Sequence, residues 1–234
     1  MRKDMAVLSR LIKVSALVLG AGLVVAGCGP VKMGAAAIVG DQRITVATLD
    51  NEVTNLANYL KVHPSPVPLT PAQQTQQTLS WLIRFQINEE LAKQEGITVS
   101  AAQAEQAWNE ISKRTKANAQ AQGITNVTDS LILAASGIPP NLKDEVGRYQ
   151  SIDDQFAVKV NGGTPPATQD AANAANDQLN KARCTAAKGL NIQVNPQYGR
   201  LDYTQYLVVP SEPTVTRSAG PTPTAVPSGL APAC

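Results

Sequence analysis

Three cysteines, one histidine and a group of carboxylates are the side chains of this 234-residue sequence from which chemistry could be built. His63 sits in HPSPVP, so a Ser-His-Asp relay or a zinc site would have to be assembled around a proline-rich loop with a single imidazole. Its expected place is a solvent-facing loop. Asp144, Glu145, Asp153 and Asp154 fall within one helical pattern, and paired carboxylates divide acid and base roles only where their surroundings separate their pKa values. Lys143 and Arg148 are interspersed with them, which describes a solvated face. Gly162-Gly163 lacks the Gly-x-x-x-x-Gly-Lys frame of a phosphate loop, and the Asn126-Val127-Thr128 acceptor pattern is too common to carry a claim. No catalytic residue, no metal ligand and no cofactor-binding residue is assigned.

Cys28 has a different context. The chain opens MRKDMAVLSRLIK, with four basic side chains and one acid, and continues into the apolar stretch Val14 to Gly27. Those fourteen residues fall short of the roughly 20 that a membrane-spanning helix requires. A basic segment, a short apolar core and small residues describe an export signal instead. Val25-Ala26-Gly27-Cys28 resembles the lipobox of bacterial lipoproteins, whose cysteine receives a diacylglycerol thioether before the signal is removed. The expectation is a signal peptide over 1–27 and a lipid anchor on Cys28, stable because two or three acyl chains hold where one does not.

Cleavage there would remove four of the 20 basic and one of the 18 acidic side chains, turning a basic precursor into a slightly acidic protein. That balance gives no argument for nucleic acid as a partner. Cys184 and Cys234 are left, and outside the membrane an even pair reads as one disulfide. It would close a loop of about 50 residues, worth about 4 kcal/mol in the chain-entropy account. No Cys-x-x-Cys spacing suggests a redox pair.

The elements that must position these residues are mainly helical. AAIV before Gly40-Asp41 reads as a short strand, with Gln42 to Thr45 either its returning partner or a lead into the next helix. Val46, Leu49, Val53, Leu56 and Leu60 then recur at helical spacing behind the cap Thr45, until the prolines at 64, 66 and 68 stop the helix. Thr70-Pro71 opens a second helix that Gly96 ends. It carries Leu79, Ile83, Ile87 and Leu91 on one face and Trp81 and Phe85 on another, so contact on two sides is expected. Ser100 to Gln103 is a capping-box start for a third helix. A short helix around LILAAS, one with Leu142, Val146, Tyr149, Ile152, Phe156 and Val160, and an alanine-rich one ending near Gly189 follow. LNIQV alternates as a strand over Leu190 to Val194. Beyond Pro210 the proline-rich tail has no periodicity.

An isolated strand leaves backbone groups unpaired, so the economical arrangement pairs Ala36 to Val39 with Leu190 to Val194. The expected fold class is therefore mainly α, a helical domain closed by two short strands from the N- and C-terminal parts. Its divisions are a leader over 1–27, an anchor linker over 28–35, the helical domain over 36–209 and a largely disordered tail over 210–234.

Three segments, AAIVGDQRITVATLD, SGIPPNLKDEVGRYQSIDDQFA and GLNIQVNPQYGRLD, resemble in order the opening strand and helix, the later helix and the closing strand of the N-terminal domain of the SurA and PrsA extracytoplasmic folding factors. The resemblance covers about Ala36 to Asp202. It implies a module that holds unfolded or partly folded exported polypeptides. Those families usually carry a parvulin-type prolyl isomerase domain before the returning segment, and here only Asn161 to Thr168 and one helix occupy that interval, so a non-enzymatic role is expected.

Trp81 and Phe85 are the residues that could line a client groove; equally, both could pack into the core, and the sequence supports either. The expected protein is a membrane-anchored folding or holding factor on the extracytoplasmic side of the cell membrane, with unfolded exported proteins as partners. The other reading is an assembly lipoprotein with one dedicated envelope partner.

Overall fold

The computed structural model describes residues 33–211; Cys28, Cys234, the leader and the tail beyond residue 211 lie outside the described residues. Strand β1 (Ala35–Val39) turns at Gly40 into β2 (Gln42–Thr45), and the two pair antiparallel, with Ala37 opposite Ile44. Of the two readings open for Gln42 to Thr45, the returning strand is the one formed. Gly40 has φ +57°, and its N–H donates to the Leu190 carbonyl at 2.6 Å. That left-handed conformation calls for glycine.

Helix α1 (Val46–Val62) starts under Thr45, whose hydroxyl accepts from the Thr48 N–H at 3.0 Å. After the proline loop, α2 (Pro71–Glu95) opens with a capping box between Thr70 and Gln73 and ends at Gly96 in the left-handed conformation. Helix α3 (Ala101–Ala121) begins with the expected Ser100–Gln103 capping box. The short α4 (Asp129–Ala135) and a 3₁₀ turn at Pro140–Leu142 lead into α5 (Lys143–Val160). Helix α6 (Gln169–Gly189) follows, separated from α5 among the described residues by 161–168 alone.

Strand β3 (Gln193–Val194) returns antiparallel to β1, placing Val194 opposite Ala37 in a sheet of order β2–β1–β3. The early and late strands therefore pair as expected. The late one is shorter than Leu190 to Val194 because Leu190 caps α6 and Asn191 takes φ +45°. A second hairpin, β4 (Arg200–Asp202) with β5 (Leu207–Val209), lies on α2: the Val208 N–H donates to Ser80 Oγ at 2.8 Å, and Arg84 Nη2 donates to the Gln205 carbonyl at 2.8 Å.

Helix α2 is the central element, and the two-faced pattern read in its sequence is how it packs. Leu79, Ile83, Ile87 and Leu91 join Val39, Ile152, Phe156, Leu179 and Ala186 in one core. Phe85 enters a second core with Trp108, Ile132, Leu133, Leu142 and Val146. Between α3 and α5 the helices approach so closely that no side chain fits at Gly147: a Cβ there would lie 2.9 Å from the Ala104 carbonyl carbon. Among the described residues no helix is long and apolar enough to cross a membrane.

Candidate functional site

Where β2, α1, α2 and α5 meet they leave a cavity of about 300 Å³. Ile44, Leu82, Phe85, Leu142 and Ile152 give it an apolar lining, and Tyr149 adds an aromatic wall. Phe85 is 9% exposed, so its ring belongs to the core and still shows an edge to the cavity. Trp81 lies behind it, half-buried, with ring centroids 5.7 Å apart, and its Nε1–H donates to the Ser136 carbonyl at 3.4 Å. Tyr149 meets Trp81 edge-on at 6.1 Å and Phe85 at 6.3 Å. Such T-shaped pairs fix ring orientation beyond what apolar burial alone does. Of the two aromatic candidates, Phe85 lines the cavity and Trp81 supports it from behind.

The rim is charged. Arg148 holds Glu89 bidentately, with Nη2 donating to Glu89 Oε2 at 2.8 Å, while Nη1 donates to the Val99 carbonyl at 2.8 Å. The hydrogen bonds to Glu89 push the Arg148 pKa further up. A planar fork pinned at both ends is a stiff edge.

Beneath the cavity lies a buried polar network. Asn88, 1% exposed, donates to the Tyr149 carbonyl at 2.9 Å and to Asp153 Oδ1 at 3.2 Å, and accepts from Arg183 Nε at 3.0 Å. Arg183 of α6 is ion-paired to Asp153 of α5 and stacks over the Tyr149 ring at 4.7 Å. Burial pushes the Asp153 carboxyl above the ordinary carboxylate range, against the pull of Arg183 and Asn88. Burial likewise raises the Tyr149 phenol. Asp153 thus does not sit on the solvated face that the interspersed Lys143 and Arg148 had suggested. It flanks the apolar stripe one position after Ile152 and four after Tyr149, the place from which a side chain reaches a third helix.

The remaining expected positions are soon placed. His63 is half-buried as the C-cap of α1, its ring 4.6 Å from that of Tyr59, so it packs on its helix instead of standing free in the loop. Cys184 lies on α6. Cys28 and Cys234 are outside the described residues. Among the described residues no group of three or more His, Cys, Asp or Glu side chains could hold a metal ion. Arg183, Asn88 and the Arg148–Glu89 rim were not singled out by sequence. The only hint was an arginine within an alanine-rich stripe.

The arrangement is a small apolar socket with a stiff charged rim, seated on a buried polar support. Its size and lining suit an apolar group. A family model described as a SurA-like N-terminal domain matches residues 1–123. No curated protein and no solved structure matches the chain.

Proposed function

The chain belongs to the SurA-like N-terminal domain family, a chaperone-type family of the extracytoplasmic space, and from that premise we propose that it is a non-enzymatic folding factor, anchored through a lipid on Cys28, that holds exported polypeptides before they fold. The observation that carries this reading is the apolar cavity bordered by Phe85 and Tyr149. At about 300 Å³ it stands at the lower bound of small-molecule sites. One or two large apolar side chains of an unfolded chain fill such a space, and every unfolded chain displays them. Contacts of that size give weak, permissive binding. Attachment at the membrane offsets weakness by raising the local concentration where chains emerge.

In the same reading Cys184 is bridged to Cys234, which returns the tail to α6. The bridge adds stability through the unfolded state. Two measurements test the proposal. Metabolic labelling with a fatty acid should mark the chain and lose the mark in Cys28→Ala. The full chain should bind several unrelated reduced, carboxymethylated proteins with similar micromolar affinity, on the order expected for loose recognition. Tight binding to a single envelope protein, with none to those clients, would replace the folding factor by a dedicated assembly lipoprotein.

A further inference from the structure

The chain enters the domain beside the mouth of its apolar cavity. The exposed lining residues are Arg43 and Thr48 at the β2–α1 corner and Glu145 on α5, and they mark where the cavity opens. Arg43 also donates through its guanidinium to the Met33 carbonyl, and a Cβ on Gly34 would stand 3.3 Å from Arg43 Nη2. The Gly34 carbonyl in turn accepts at 3.0 Å from the N–H of Val46, the first residue of α1. Residues 33 and 34 are thus fastened to the same corner that walls the cavity.

Five peptide units separate Met33 from Cys28. Fully extended they span at most about 18 Å, less than half the diameter of about 40 Å of a folded body of this size. With a lipid on Cys28, Met33 becomes the pivot about which the domain tilts. A point on the far side swings widely as it does. The mouth lies within the reach of one arginine side chain from the pivot, so it stays near the bilayer whatever the tilt. Met33 is itself 97% exposed, an apolar side chain at the foot of the tether that a membrane interface accepts.

We propose that the cavity works at the bilayer surface, and that its clients are exported polypeptides still held in the same membrane, captured by an apolar side chain close to their own attachment. The inference rests on the folding-factor reading, its lipid anchor included, and names where the client must be. Two chains fixed in one surface by short tethers meet at high effective concentration, which falls roughly as the −3/2 power of tether length. A polypeptide released into free solution gains nothing from the anchor.

The test uses the full chain, lipidated on Cys28, in phosphatidylcholine nanodiscs, beside a variant with a glycine-serine insert between Pro30 and Val31, ahead of the first described residue. An insert of about 25 residues lengthens the tether about sixfold and lowers the effective concentration about 15-fold. The client probe is a glycine-serine peptide carrying benzoylphenylalanine, either joined to a phospholipid of the disc or free in solution. Photocrosslinking to the surface-held peptide should fall about tenfold in the long-tether variant, while crosslinking to the free peptide stays the same. Trp81 and Trp108 are the two tryptophans of the chain and belong to the core that Phe85 shares. Energy transfer from them to dansyl-labelled headgroups should also drop in the variant. Equal crosslinking of the surface-held peptide by the two chains, or equal energy transfer, with a carboxymethylated protein still bound, would overturn the inference and leave the holding of unfolded chains standing. A chain found without lipid on Cys28 would overturn it together with the anchoring part of the reading. Failure to bind any carboxymethylated protein would remove the reading and the inference together.

Discussion

Gly147 has no side chain because the Ala104 carbonyl of α3 fills the space where one would stand. Alanine in a helix is favoured over glycine by about 1 kcal/mol, yet overpacking costs about 1–3 kcal/mol. The opposing atoms are backbone and cannot rotate away, so the upper end of that range applies. Gly147→Ala should destabilise the protein by about 2 kcal/mol net, read from the urea midpoint; a neutral or stabilising result would mean that α3 and α5 are less tightly apposed. A second residue carries a pH signature. Asp129 accepts from Lys116 at 2.6 Å, Ser112 at 2.5 Å and Trp108 at 3.2 Å, and these bonds, led by the one from Lys116, hold its carboxyl down at about 2. A carboxyl lowered by folding stabilises the fold above its unfolded pKa of about 3.9 and loses that contribution as pH falls toward about 2. Solvent reaches Asp129 and Lys116, so the effect is small. Thermal scans between pH 5 and 2 should show the wild type losing more of its melting temperature than Asp129→Asn; parallel curves would contradict the assignment.

At the scale of elements, α6 has little bulk to bury, since its core positions are mostly alanine, with Leu179 the exception. Its docking depends instead on Arg183 reaching Asp153 and Asn88. Removing one member of a buried pair costs about 3–5 kcal/mol, while replacing both with apolar side chains is often close to neutral. Asp153→Asn should therefore destabilise the fold by more than the double variant Asp153→Leu, Arg183→Met does. A double variant as damaged as the sum of the two single ones would show that the network is not a coupled unit. Local elements were readable from the chain because caps, breakers and apolar spacing act within a few residues: Thr45, Thr70-Pro71, Ser100 and Gly96 each stand where the sequence places a helix end. The pairing of β1 with β3 followed from the need to satisfy backbone groups. What the chain concealed were features made by residues far apart in sequence. The cavity walls come from β2, α1, α2, the 3₁₀ turn and α5, and Asp153 looked exposed because its partner lies on another helix. His63 is a different case: it leads into a proline-rich loop, yet Tyr59, one helical turn earlier, offers the ring on which it packs.

For the whole molecule, α2 joins two cores and carries the site on its surface, with the first hairpin, α5 and the polar network around Asn88 keeping the socket open. No step of bond making is needed for the proposed activity. The protein would act through reversible apolar contact near a membrane, with the tail fastened by Cys184 and Cys234. Peptide mapping without reductant should recover the two cysteines in one linked fragment, and free thiols at both positions would dismiss the proposed bridge.

The most direct measurement concerns the socket itself. Gln86 is half-buried on α2 and borders the cavity, so Gln86→Trp should fill this groove without entering either core. Suppression of aggregation of reduced lysozyme by the full chain in nanodiscs should fall several-fold in this variant, on the order expected when a central contact of a binding site is blocked, while its circular dichroism and melting temperature stay at the wild-type values. Protection undiminished by the filled groove would contradict the account.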